Sequence, residues 1–136
     1  YLATHTLKNL GKVIMIAPPN HGSEISDMFN KTTLGRWLKG PAFSQLDTHP
    51  KGFINTLPPP YYDVGIIAAN KSLNPLFSFL LDGPDDGYVR LESTKLPQQT
   101  DYIIVPRTHL TVAFSSHTIT YILNFLETGR FLQKNI

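Results

Sequence analysis

Val13-Ile14-Met15-Ile16-Ala17-Pro18-Pro19 is the stretch that decides the fold. Its five apolar residues run without alternation, follow a segment closing on Gly11, and stop at two prolines. A strand with one wet face alternates apolar and polar residues; one covered on both faces reads as a continuous apolar run. The run therefore predicts a strand buried on both faces of a parallel sheet. Val64-Gly65-Ile66-Ile67-Ala68-Ala69 and Tyr102-Ile103-Ile104-Val105 repeat the signature. Helix-like segments separate the three runs, which predicts an α/β fold of three mainly parallel strands flanked by helices.

The flanking segments carry their own signals. Residues 1–10 read as the end of a helix, with Gly11 at the position past its last turn. The closing helix is the clearest. Ser115 or Ser116 can cap it, Ile119, Ile122, Leu123 and Leu126 recur at helical spacing, and Gly129 ends it. Between the first two strands lies a long excursion, residues 21–63. It contains an expected helix over residues 24–38, then Gly40-Pro41, then Pro58-Pro59-Pro60-Tyr61-Tyr62. A connection of that size is usually functional or has structure of its own, and a cap or lid insertion is the expectation here.

Bulk composition excludes several function classes. At 41% hydrophobic and 16% charged, the 136 residues are too apolar for disorder and suffice for one domain with a core. The net charge of +2, with no run of basic residues, gives nucleic-acid binding little support. No apolar run is long enough to span a bilayer. The absence of cysteine excludes a disulfide scaffold, a zinc–thiolate site and a cysteine nucleophile. The five histidines show no metal-ligand spacing, and no phosphate-binding glycine loop occurs, so neither metal nor cofactor is expected.

In an open parallel sheet the ligand crevice lies at the carboxyl ends of the strands. Asn20-His21-Gly22-Ser23, Asn70 and Arg107-Thr108-His109 follow the three runs, and Asp86 lies between the second and third. A histidine just past a strand can move a proton near neutral pH. A carboxylate accepting from its Nδ1–H fixes the tautomer and stabilises the imidazolium. Asp86 and His109 are therefore the candidate acid and base. Asp85 competes with Asp86; Asp86 is favoured because it heads Asp-Gly-x-Val, which presents the carboxylate and re-enters extended chain. A lone Asp-Gly pair is most often just a turn. His21 and Ser23 read better as a loop lining the site than as a second nucleophile–base pair. Trp37, Phe43, Tyr61 and Tyr62 are candidates for an acyl pocket, although aromatics so spaced are more often packing residues.

Residues 11–24, the stretch 83–95 (GPDDGYVRLESTK), Val105-Pro106-Arg107-Thr108-His109 and the ending Asn124-Phe125-Leu126-Glu127-Thr128-Gly129-Arg130-Phe131 occur in a telling order. Together they resemble the bacterial lipase- and esterase-like α/β-hydrolases, serine lipases akin to the triacylglycerol lipases. The resemblance covers most of the chain and implies that Asp86 and His109 occupy the family's acid and base positions. It makes the three runs the sixth, seventh and eighth strands of the eight-stranded α/β-hydrolase fold, so that residues 1–136 form one partial, C-terminal domain. The family's triad runs Ser, Asp, His along the chain, with the serine on a Gly-x-Ser-x-Gly elbow. No such elbow occurs in this sequence. The resemblance therefore implies a nucleophile and oxyanion donors upstream of Tyr1.

The expected activity is hydrolysis of a lipid or other carboxylic ester by the complete protein, with this chain alone inactive. Its expected partner is the N-terminal half of the same enzyme, or a second copy joined through the exposed edge of the sheet. The rival expectation is a non-catalytic, truncated hydrolase acting as an interaction module.

Overall fold

In the computed structural model, which describes residues 1–2 and 4–132, the three apolar runs form β1 (Val13–Ile16), β2 (Val64–Ala69) and β3 (Asp101–Val105). They make one sheet in the order β1-β2-β3, parallel throughout. Val13 stands beside Val64, Gly65 beside Asp101 and Ala69 beside Val105. All three strands thus deliver their following loops to the same end of the sheet. The α/β class read from the sequence is the observed one.

Burial on both faces holds for β2 alone. Every residue of β2 is buried, whereas β1 is half-buried along its length and Ile104 of β3 is exposed. The reason is position: the central strand has a neighbour on each side, and the outer two have one each. Continuous apolarity therefore marks membership of the sheet, not depth within it.

The helices are α1 (Glu24–Asn30), α2 (Thr33–Ser44), α3 (Pro75–Leu81) and α4 (Ser116–Thr128). Where one helix was expected over residues 24–38, the chain forms two. Ser23 caps α1 by accepting from the Ile25 amide, and Thr32 caps α2 by accepting from the Gly35 amide at 3.0 Å. A hydroxyl cap bonds the backbone of a turn in competition with helix continuation, and Thr32 wins that competition here. The pair is tied together by Ser26 donating to the Phe43 carbonyl at 2.6 Å and by an edge-to-face contact of Phe29 with Phe43.

The helix expected over residues 1–10 is absent from the described residues there. The Thr4 and His5 amides close one turn on the Tyr1 carbonyl, and the chain then opens. Tyr61 takes over as partner: its hydroxyl accepts from the Leu7 amide and donates to the His5 carbonyl, each at 3.0 Å. A tertiary contact thus satisfies backbone groups that a helix would have paired internally.

The main core lies under α4. Ala17, Ile67, Ala69, Ile103, Val105, Val112, Phe125 and Phe131 form one buried cluster, with Tyr121 and Ile122 packed against it. Gly65 makes this possible, because a Cβ there would stand 2.7 Å from the rings of both Phe125 and Phe131. The buried face of α4 is therefore Thr118, Tyr121, Ile122 and Phe125, one residue out of phase with the face read from the sequence. Ile119, Leu123 and Leu126 are about half exposed. Both sets fit helical spacing, and the stacked Phe125–Phe131 pair, centroids 4.8 Å apart, selects the first. Gly129 ends α4 as expected, in the left-handed conformation with its amide on the Phe125 carbonyl. No helix among the described residues is long and apolar enough to cross a membrane.

Candidate active site

Two loops meet at the carboxyl end of the sheet. The first follows α3, which ends on Asp82 in the left-handed conformation and releases the chain into Gly83-Pro84-Asp85-Asp86-Gly87-Tyr88-Val89. This segment folds back on itself. The Asp86 amide bonds the Val89 carbonyl, the Leu91 amide bonds the Pro84 carbonyl, and Asp85 bridges to Arg90. The second loop leaves β3 at Pro106 and carries Arg107, Thr108 and His109 before a short 3-10 turn, Val112–Phe114.

The two adjacent aspartates are both buried and are used differently. Asp85 Oδ1 accepts from the Gly87 amide at 2.7 Å and from the Ser78 hydroxyl of α3 at 3.0 Å. Asp86 is only 2% exposed. Its Oδ1 accepts from the Tyr88 and Val89 amides at 3.0 and 2.8 Å, which leaves Oδ2 free to face 2.8 Å across to His109 Nδ1. Burying a carboxylate is costly unless its oxygens are paired, and both oxygens of Asp86 are. His109 is held at a second point, because its own backbone amide donates to the Asp86 carbonyl at 2.9 Å.

With Nδ1 facing the carboxylate, Nε2 is the nitrogen left for chemistry. The His109 side chain is about one third exposed, and among the described residues its ring hydrogen-bonds only Asp86. The arrangement can therefore accept a proton on Nε2 from an acidic or hydroxylic group and stabilise the resulting imidazolium.

The remaining residues singled out from the sequence lie elsewhere. Ser23 is buried and its hydroxyl is engaged, donating to the Tyr88 carbonyl at 2.6 Å and capping α1. That is a structural role beneath the Asp86 loop. The His21 amide bonds the Ser93 carbonyl, and Asn20 donates to the Thr94 carbonyl. Asn70 is exposed, and Arg107 turns its guanidinium onto the Pro106 carbonyl. Trp37 is 77% exposed, and Phe43 and Tyr61 are packing residues in the contacts already described. Tyr62 lines a cavity of about 400 Å³, with Met15, Ile54, Leu57, Pro59 and Leu96. Neither Asp86 nor His109 is among the lining residues of that cavity. Burial and the neighbouring Tyr61 raise the Tyr62 phenol above its ordinary range.

Tyr88 carries a contact that the sequence did not single out. Its ring lies 5.3 Å from the His109 imidazole, centroid to centroid, and 5.8 Å from Phe77 of α3. Asp85 and its Ser78 partner likewise brace the Asp86 loop against α3. The doubled aspartate was the available signal: one carboxylate can present itself only if something fixes the turn, and the neighbouring carboxylate does so.

No protein-family model matches this chain, and no curated protein matches it by sequence. Solved structures do. The lipase BlEst2 of Bacillus licheniformis in its propeptide form superposes with a TM-score of 0.69 at 23% identity, over 93% of this chain and 31% of that one. The mature form of the same lipase gives 0.58 at 18% identity, over 87% of this chain and 54% of that one. The likeness is one of fold. The chain spans about a third to a half of the length of the lipase chains it matches.

Proposed function

We propose that this chain supplies the acid and base, Asp86 and His109, of a serine ester hydrolase of lipase or esterase type. The nucleophilic serine and the oxyanion donors then come from polypeptide preceding Tyr1. The observation that carries this reading is the 2.8 Å contact between His109 Nδ1 and the buried Asp86 carboxylate, at the loop end of the sheet in a lipase-like fold.

In the reaction, the serine oxygen attacks the ester carbonyl while its proton passes to His109 Nε2. The imidazolium so formed is stabilised by Asp86 through Nδ1–H. The tetrahedral intermediate collapses, and His109 returns the proton to the departing alcohol. Water then repeats the sequence against the acyl-enzyme, with His109 again as base, and releases the acid. The stretch 21–63, carrying α1 and α2, serves as the cap over an apolar acyl or alcohol site. The substrate is a lipid or other carboxylic ester.

A fluorophosphonate probe and a short nitrophenyl ester test the assignment. The chain alone should neither label nor hydrolyse. The longer protein, with a strand and Gly-x-Ser-x-Gly ahead of Tyr1, should do both. Asp86→Asn should then lower kcat by roughly 10⁴-fold, as expected when a base loses the carboxylate that sets its tautomer. Hydrolysis that survives His109→Ala would end the reading.

A second reading, an interaction module without catalysis, draws support from the open edge of β1 and from the half-exposed Ile119, Leu123 and Leu126 on α4. It predicts tight association with an upstream half and no ester hydrolysis by the pair.

A further inference from the structure

One hydrogen bond fixes a point on an imidazole; it leaves the plane of the ring free to swing. His109 Nδ1 is tied to Asp86 Oδ2, and a proton acceptor at Nε2 works only if that nitrogen is aimed. We propose that Tyr88 is the positioning residue that sets the plane of the His109 ring, and that Phe77 of α3 fixes Tyr88 from behind. This inference rests on the acid–base reading above and adds to it a residue that acts through His109.

The backbone of Tyr88 is pinned on both sides. Its amide donates to Asp86 Oδ1 at 3.0 Å, and its carbonyl accepts from the buried Ser23 hydroxyl at 2.6 Å. The residue that contacts the base is thus held by the same carboxylate that orients the base. Its ring meets the imidazole at 5.3 Å with the planes tilted by 41°, and Phe77 meets its other side edge-on at 5.8 Å and 74°. Both distances lie within the range of attractive aromatic contact. Among the described residues the Tyr88 hydroxyl hydrogen-bonds to nothing, so the ring and not the oxygen performs the task. A ring face is also a favourable neighbour for an imidazolium, the state in which His109 must be held during turnover.

Tyr88→Phe keeps the ring and Tyr88→Leu removes it, so the pair separates positioning from mere occupancy. Proton NMR of the folded chain reads the geometry without any catalysis. In the parent and in Tyr88→Phe, the Nδ1 proton of His109 should give the same low-field, slowly exchanging resonance, with carbon-bound ring protons shifted by the tyrosine ring current. Tyr88→Leu should lose the ring-current shift and speed exchange of the Nδ1 proton. Phe77→Leu should show a smaller change of the same kind. In the complete hydrolase, Tyr88→Leu should lower kcat roughly ten- to a hundredfold with KM unchanged, the scale expected when a reacting group is misaimed.

Parent-like resonances in Tyr88→Leu would overturn the proposal, as would a Tyr88→Phe protein as impaired as Tyr88→Leu. Should Tyr88→Leu not fold, the Phe77→Leu spectrum decides in its place, and a parent-like spectrum there overturns the bracing. The catalytic reading fails separately: if the resonances respond as described but ester hydrolysis is indifferent to His109→Ala, Tyr88 still positions a histidine that has no part in turnover.

Discussion

Gly87 occupies φ +99°, between Asp86 and Tyr88, whose ring lies against His109. An L-residue is strained there whatever space surrounds it. The turn depends on that angle, since it aims the Gly87 amide at Asp85 and the next two amides at Asp86. We expect Gly87→Ala to lower stability by about 1–2 kcal/mol, the usual strain of a side chain at positive φ, and, on the proposed function, to lower ester hydrolysis further than stability explains. A urea midpoint equal to that of the parent would show that the turn does not need its glycine. At this scale the sequence was legible where chemistry restricts the choice. A histidine past a strand and an aspartate heading Asp-Gly-x-Val are brought within 2.8 Å of each other, and Asp85, the competing carboxylate, turns to Ser78 instead. Tyr88 was not legible. An aromatic two residues past an aspartate looks like the start of extended chain, and only the return of the loop brings it against His109.

Among the elements, α4 shows how far periodicity reaches. The residue spacing established a helix and Gly129 its end, but two overlapping sets of positions fitted the same spacing, and the face was decided by ring packing over Gly65. Phe125→Ala should therefore cost about 3–5 kcal/mol as a buried ring is removed from a closed core, while Leu123→Ala should stay within about 0.5 kcal/mol of the parent. Comparable losses from the two substitutions in chemical denaturation would mean that the outer face of α4 is covered. The segment before β1 departs from its helix-compatible composition for a related reason, since the Leu7 amide and the His5 carbonyl are given to Tyr61. Tyr102 on β3 adds a pH dependence. Burial raises its phenol above the ordinary value of 10.0, partly offset by the hydrogen bond to Thr94. The unfolded chain gives up this proton at lower pH than the folded one. Stability held below about pH 10 thus declines as the pH rises through the folded-state value. Thermal melts of Tyr102→Phe should show a shallower alkaline decline than the parent; parallel curves would assign the loss to other groups.

For the whole molecule the decisive feature is the open side of β1. The Val13 and Ala17 amides point to β2, bonding the Asp63 and Ile67 carbonyls. Alternation along a strand therefore turns the Ile14 and Ile16 amides outward, where the sheet offers no partner strand among the described residues. An unpaired, apolar edge is a template for another strand, and it has two ways to be satisfied. An upstream strand can pair there in cis, which would extend the sheet, or a second copy can pair in trans. Met15 lies at this edge and lines the apolar cavity beside it. A lysine at that position would place a charge on the edge while its stem still covered the apolar wall. We expect the weight-average mass of the isolated chain to rise with concentration in sedimentation equilibrium, and Met15→Lys to suppress that rise with little change in melting temperature. Equal association of the two proteins would move the contact to the apolar outer face of α4. A parent that stays monomeric and melts cooperatively would mean that the edge is satisfied within the chain, and the case for a missing neighbour strand would fall with it.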